Sequence, residues 1–86
     1  MYKLHITKKA DKRLKEIAIN TSKDAVLVAL REIRENPYLY KPLTKDLSGK
    51  FTYKLGVYRI IYAVDKKDEE ITILLAGHRS TIYGNP

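Results

Sequence analysis

Five side chains in this sequence are of types that handle phosphate groups and protons. His78 and Arg79 stand together in AGHRSTIY, where an apolar run from Ile71 to Ala76 stops at a glycine, and Tyr83 follows four residues after Arg79. Lys54 lies in FTYKLG and Arg59 in VYRIIYAV. Guanidinium groups grip phosphate oxygens in bidentate fashion, so Arg59 and Arg79 suit the stabilisation of charge on a phosphorus centre. Lys54 offers a further positive charge or a base. Histidine is the side chain that changes charge nearest neutral pH, which makes His78 the natural acid or base on general grounds. Tyr83 offers a ring for stacking and a hydroxyl. Each has a plain alternative: Arg59 as an ion-pair partner, Lys54 as a solvated strand lysine, His78 as a capping or packing histidine, Tyr83 as a pin for the chain end. The constellation, rather than any one member, points to an anionic ligand. Two distant histidines and the DKKDEE loop make no metal-ligand set, so no metal or cofactor is expected.

The elements that must position these groups can be read from periodicity. YKLHIT (2–7) alternates as a short strand, and Thr7 is a helix N-cap. In KKADKRLKEIAI the residues Ala10, Leu14, Ile17 and Ala18 share one helix face. Thr21 or Ser22 caps a second helix, with Asp24 in its first turn and Val26, Ala29, Leu30 and Ile33 along one face; Leu27 and Val28 widen that stripe. This helix ends at Asn36, because a residue before proline avoids the helical region. PYLYKPLTKDLSGK (37–50) reads as a connection packed down by Tyr38, Leu39, Leu43 and Leu47. FTYKL (51–55), VYRIIYAV (57–64) and ITILLAGH (71–78) read as strands, with a tight turn at Gly56 and a polar hairpin loop at DKKDEE (65–70). The order is β-α-α-β-β-β: an α+β fold with an N-terminal helical hairpin on one face of a mostly antiparallel sheet.

Alternation then sorts the strand residues by face. Phe51, Tyr53 and Leu55 go with Tyr58, Ile60, Tyr62 and Val64 under the helices. Lys54 and Arg59 point to the other face, along with Val57, Ile61 and Ala63. That half-apolar face, with no helix over it, is expected to be a binding surface. The last strand delivers His78 and Arg79 to the sheet's end, so Lys54, Arg59, His78, Arg79 and Tyr83 are expected to converge.

The bulk numbers limit the classes. At 86 residues the chain is read as a single domain, 1–86. It has no cysteine, which excludes disulfides and thiolate chemistry and fits a reducing cytoplasm. No apolar run approaches a bilayer span, and MYKLHITKKADKR lacks the apolar stretch of a signal peptide. Lysine plus arginine number 17 against 10 acids, a net charge of +7, which points to nucleic acid or an acidic protein as partner. The charge is uneven: from Lys41 to Arg59 the chain carries Lys41, Lys45, Lys50, Lys54 and Arg59 against one acid, Asp46.

KPLTKDLSGKFTYKLGVYRIIYAV followed by ITILLAGHRSTIY resembles the RelE/ParE toxin superfamily, in particular its RelE-type messenger-RNA interferases. The likeness rests on an L-x-G segment, a strand into a tight turn, Y-R-[IV]-[IV]-Y, a charged hairpin and a terminal G-H-R-x-x-[IV]-Y, and it spans essentially the whole chain. It implies a toxin of a type II toxin–antitoxin system that cuts messenger RNA in the ribosomal A site, by attack of a ribose 2′-hydroxyl on the adjacent phosphate. It implies Lys54, Arg59, Arg79 and Tyr83 as catalytic residues, to which His78 is added on its general acid–base chemistry; the uneven charge makes Lys41, Lys45, Lys50 and Lys54 the expected RNA contacts. The resemblance also implies a RelB-like antitoxin with an acidic contacting segment, and the ribosome and messenger as further partners. A second lysine found in relatives two residues before Lys54 is Thr52 here, and the YKPL stretch holds Lys41 where other relatives use an acid. The alternative within the superfamily is a ParE-like toxin that binds DNA gyrase and does no chemistry.

Overall fold

Thr7 closes the first strand, β1 (Lys3–Ile6), and opens the first helix, α1 (Lys8–Asn20). In this computed structural model, which describes residues 2–43 and 49–82, the Thr7 hydroxyl accepts from Ala10 N–H at 3.1 Å. It also donates to Leu74 O at 3.3 Å, tying the helix start to the sheet. Thr21 ends α1, and Ser22 caps the second helix, α2 (Lys23–Glu35), by accepting from Ala25 N–H at 3.0 Å. Asn36, just before Pro37, ends α2. Each cap satisfies a donor that the helix cannot satisfy itself. Thr7→Ala and Ser22→Ala are each expected to lower stability by about 1 kcal/mol. Thr7→Ala should cost the more because it also frees Leu74 O, and urea midpoints of the two variants would show the difference.

Ala10, Leu14 and Ile17 of α1 and Val26, Ala29 and Ile33 of α2 are buried as their spacing requires. Leu27 and Val28 do not join them: they are 51% and 36% exposed. Their positions lie to the side of the Val26–Ala29–Ile33 stripe, and a flat sheet cannot follow a helix that far round.

Five strands form one sheet: β1, β2 (Lys41–Pro42), β3 (Lys50–Leu55), β4 (Tyr58–Asp65) and β5 (Glu70–His78), followed by a four-residue helix, α3 (Arg79–Ile82). The order across the sheet is β1-β5-β4-β3-β2. Only β1 and β5 run parallel; the other pairs are antiparallel, so the α+β expectation holds. The short β2 and α3 leave no periodic signal in the sequence. Pro42 is tolerated in β2 because that strand lies at the sheet's edge. The connection before β3 is less packed than expected, since Tyr38 and Leu39 are 50% and 68% exposed. Leu43 is half-buried, and Leu47 lies outside the described residues.

Two local features decide where the candidate site residues point. Gly56 and Val57 form a two-residue turn between β3 and β4, with Gly56 at φ 60° and Val57 at negative φ. This is the pattern of a type II′ turn, whose first position favours glycine. The second feature is a β-bulge. Ile61 pairs with Leu75 but Tyr62 pairs with Ile73, so Leu74 is an extra residue in β5. Ile71 and Ile73 face the helices before the bulge, and Ala76 and then His78 face them after it.

The core lies between the helices and one face of the sheet, where Tyr53, Ile60, Tyr62, Ile71, Ile73 and Ala76 meet the buried helix residues. Phe51, Leu55, Tyr58 and Val64 pack against its margin, as alternation predicts. The opposite face is not an open apolar surface, contrary to expectation. Its centre is closed, with Thr52 and Ile61 2% and 5% exposed, Ala63 half-buried, and only Val57 substantially exposed.

Candidate functional site

Lys54 and Arg59 are direct cross-strand partners in the β3–β4 ladder, and Arg59 pairs on its other side with Gly77. Neither cation packs into the helix-side core; Lys54 is exposed and Arg59 half-buried. Lys41 pairs with Thr52 and Lys50 with Ala63, which sets both on the same face. That face therefore presents Lys41, Lys50, Lys54 and Arg59. Every described acid lies elsewhere, in α1, in α2 or in the β4–β5 hairpin. Like charges directly opposite each other weaken a sheet. A lysine facing an arginine next to a tight turn is thus a local conflict of the kind that marks function rather than folding.

Carbonyls of the turn fix the Arg59 side chain and the Arg79 backbone. Arg59 Nη1 donates to Gly56 O at 2.9 Å and to Tyr58 O at 2.8 Å. Both hydrogens of Nη1 are then engaged, and the Nε–H and Nη2–H edge remains, which is an edge that binds an oxyanion side-on. Arg79 N–H donates to Val57 O at 2.8 Å, carrying the β4–β5 ladder one step past His78. Gly56, Val57 and Tyr58 thus anchor both arginines through backbone oxygens. No side-chain pattern announces such anchors, so the sequence reading passed over them. Gly77 packs under Ile82 of α3: a Cβ there would stand 3.4 Å from Ile82 Cδ1.

His78 does not join this group. It pairs with Tyr58, whose side chain packs against the helix-side core, and the two rings meet edge to face at 5.9 Å. Its ring borders an open cleft of about 520 Å³ between α1 and the sheet's end, lined also by Lys9, Arg13, Glu16 and Thr81. The physical reason is the bulge at Leu74, which reverses the alternation of β5 before the strand ends. Tyr83 and Lys45, also expected at the site, fall outside the described residues. Among the described residues no three His, Cys, Asp or Glu side chains come together as a metal site, and no helix is long and apolar enough to cross a membrane.

A second polar cluster supports the strand that carries Lys54. Tyr53 donates its hydroxyl to Glu32 Oε1 of α2. Tyr40 packs edge-on against the Tyr53 ring with centroids 4.7 Å apart. Burial, and then the Glu32 carboxylate, push the Tyr53 hydroxyl well above the ordinary tyrosine range, so it stays a donor. Tyr53 and Lys54 are adjacent in β3 and point to opposite faces, so this bond fixes the strand from below.

Comparison with known proteins places these features in a family. A family model described as the ParE toxin of the type II toxin–antitoxin system, parDE, matches residues 4–83. The toxin RelE of Mycobacterium tuberculosis is 30% identical over 83 residues, covering 95% of this chain and 86% of the relative. The toxin RelG of the same organism is 38% identical over 50 residues, 58% of each chain. Among solved structures, the toxin–antitoxin complex RelBE2 from M. tuberculosis superposes with a TM-score of 0.76 at 28% identity, over 91% of this chain and 98% of the other. The isolated Escherichia coli RelE toxin has the same fold, with a TM-score of 0.73 at 20% identity over 91% of this chain and 84% of the other. The chain belongs to the ParE toxin family of type II toxin–antitoxin systems, within the RelE/ParE superfamily.

Proposed function

We propose that this toxin is a ribosome-dependent endoribonuclease that cleaves messenger RNA in the A site. The observation that carries this reading is the pair of cations on the face away from the helices, Lys54 opposite Arg59, beside the turn to which the Arg79 backbone is bonded. Cleavage by the RNA's own 2′-hydroxyl needs a base for that proton, cations for the charge that builds on the phosphorus oxygens, and an acid for the departing 5′-oxygen. Arg59 holds the phosphate with its free guanidinium edge, and Arg79 approaches from the end of β5. Lys54, on the side of Arg59 away from β5, adds charge or takes the 2′ proton. Tyr83 stacks on a base or moves a proton. Lys41 and Lys50 extend the positive surface for the RNA backbone, an interaction that weakens as salt rises, and Lys45, outside the described residues, is assigned the same role.

The fold's relatives in the RelBE2 and RelBE complexes are held by antitoxins. We assign this chain a RelB-like antitoxin with an acidic contacting segment, and a cytoplasmic site of action where ribosomes are met. The family model's ParE description supports a second reading, a toxin that binds DNA gyrase without chemistry. Expression without antitoxin separates the two. The endoribonuclease is expected to stop translation and to leave messengers cut at A-site codons on the ribosome. Intact messengers with blocked DNA replication would establish the gyrase reading instead, and normal growth with folded protein accumulating would sink both.

A further inference from the structure

His78 is left without a part in the cation row, yet it lies one residue from Arg79. Its ring nitrogen Nδ1 accepts from the backbone N–H of Ser80 at 3.0 Å, and the Ser80 hydroxyl lies 2.8 Å from the same atom. A backbone N–H only donates, so Nδ1 is the acceptor and a neutral ring carries its proton on Nε2. Ser80 is the second residue of α3, and an acceptor on the preceding residue that reaches this N–H is the geometry of a helix N-cap. The Thr81 hydroxyl closes the same turn by donating to His78 O at 3.2 Å. The ring itself is held by Tyr58. Arg79 stands between the capping residue and the capped N–H, and its own N–H is bound to Val57 O.

We propose that His78 is a positioning residue for Arg79: through Nδ1 it caps α3, and so fixes the turn from which the Arg79 side chain departs. This rests on the reading that Arg79 acts on an RNA phosphate. The ring does this from the helix side of the sheet, with Tyr58 of β4 and Lys9, Arg13 and Glu16 of α1 around it, while Arg79 is delivered past the strand's end. A four-residue helix has no interior to stabilise it. Loss of its cap lowers the equilibrium constant for the ordered turn by roughly five- to tenfold, and the rate through Arg79 falls by up to that factor.

Two isosteric variants test the assignment. Asparagine places its Oδ1 near where Nδ1 stood and has no proton to exchange with substrate near neutral pH. Glutamine places its amide nearer the position of Nε2. His78→Asn is expected to cleave ribosome-bound messenger within about threefold of wild type. His78→Gln and His78→Ala are expected to lose more than threefold and up to about tenfold in single-turnover rate, with ribosome affinity unchanged. The second readout needs no activity: nitrogen-15 NMR of the full chain is expected to show the Nε2–H tautomer and a hydrogen-bonded Ser80 amide. That amide signal should be lost in His78→Ala and restored in His78→Asn. An Nδ1–H tautomer overturns the cap. A His78→Asn variant as slow as His78→Ala, or a His78→Gln variant faster than His78→Asn, overturns the positioning role in favour of proton transfer or contact through Nε2. If wild type cleaves nothing on the ribosome, the catalytic reading falls, and the Ser80 amide still decides the cap.

Discussion

Arg59→Ala and Arg79→Ala are each expected to slow cleavage of ribosome-bound messenger RNA by about a hundred- to a thousandfold. The expectation comes from what each arginine is held to do. Arg59 is oriented before any RNA arrives, because Gly56 O and Tyr58 O take both hydrogens of Nη1. A preoriented donor stabilises the transition state without reorganising at the moment of reaction. If the arginines act mainly as charge develops on the phosphorus oxygens, their loss lowers the single-turnover rate far more than it weakens binding to the ribosome. Lys54→Ala is expected to rank next in damage. It also relieves the like-charge pairing with Arg59, so its melting temperature should hold or rise while activity falls. That opposition between stability and function is a signature that a merely structural lysine would not give. Cleavage at wild-type rate by both arginine variants would mean that the row of cations is structural.

The strands that carry Lys54 and Arg59 were legible in the sequence because both are regular between Lys50 and Ile61, so period-2 alternation assigns their faces without error. The pairing of Lys54 with Arg59 follows from the turn: two residues at Gly56–Val57 leave one antiparallel register. His78 was expected with them only because it ends the last strand, and the cause of its departure is local. ITILLAGH is apolar at Ile71, Ile73, Leu74, Leu75 and Ala76, so either phase buries apolar residues and the sequence does not show where the phase changes. The bulge at Leu74 settles it by putting both Ile73 and Ala76 into the core. The apolar centre of the free face is likewise closed where alternation suggests an open surface, because alternation tells which way Ile61 points and says nothing of what covers it. Leu27 and Val28 show the converse: apolar type alone did not bury them once the sheet had been met by Val26, Ala29 and Ile33. Backbone anchors were the least legible part. The oxygens of Gly56, Val57 and Tyr58 are common to every residue type, and only the fold brings them to the arginines.

Tyr62→Ala is expected to cost about 3–5 kcal/mol, the range for emptying a large aromatic site in a core. Tyr62 is fully buried in the middle of β4, its ring stacks on Phe51 with centroids 5.5 Å apart, and its hydroxyl donates to Pro37 O at 2.7 Å. That bond ties the central sheet to the segment that follows α2. Small domains have a total stability of about 5–15 kcal/mol, so this loss approaches unfolding. Tyr62→Phe keeps the ring and removes only the hydroxyl, leaving Pro37 O without that donor, and is expected to cost about 1–3 kcal/mol. Burial pushes the Tyr62 hydroxyl well above the ordinary tyrosine range. The sign follows: the folded state holds this proton more tightly than the unfolded state, so its contribution is complete below about pH 10 and is lost as pH rises toward the folded pKa. Urea midpoints at neutral pH and near pH 11 test both points, since the gap between wild type and Tyr62→Phe should narrow in alkali. A gap that stayed constant or widened would mean that the hydroxyl is not the protonated donor to Pro37 O. The same measurement guards the site assignments, because Tyr62 and Arg59 lie on one strand. Tyr62→Ala is expected to lose activity by melting β4, whereas Arg59→Ala is expected to slow cleavage in a domain that melts near the wild-type temperature.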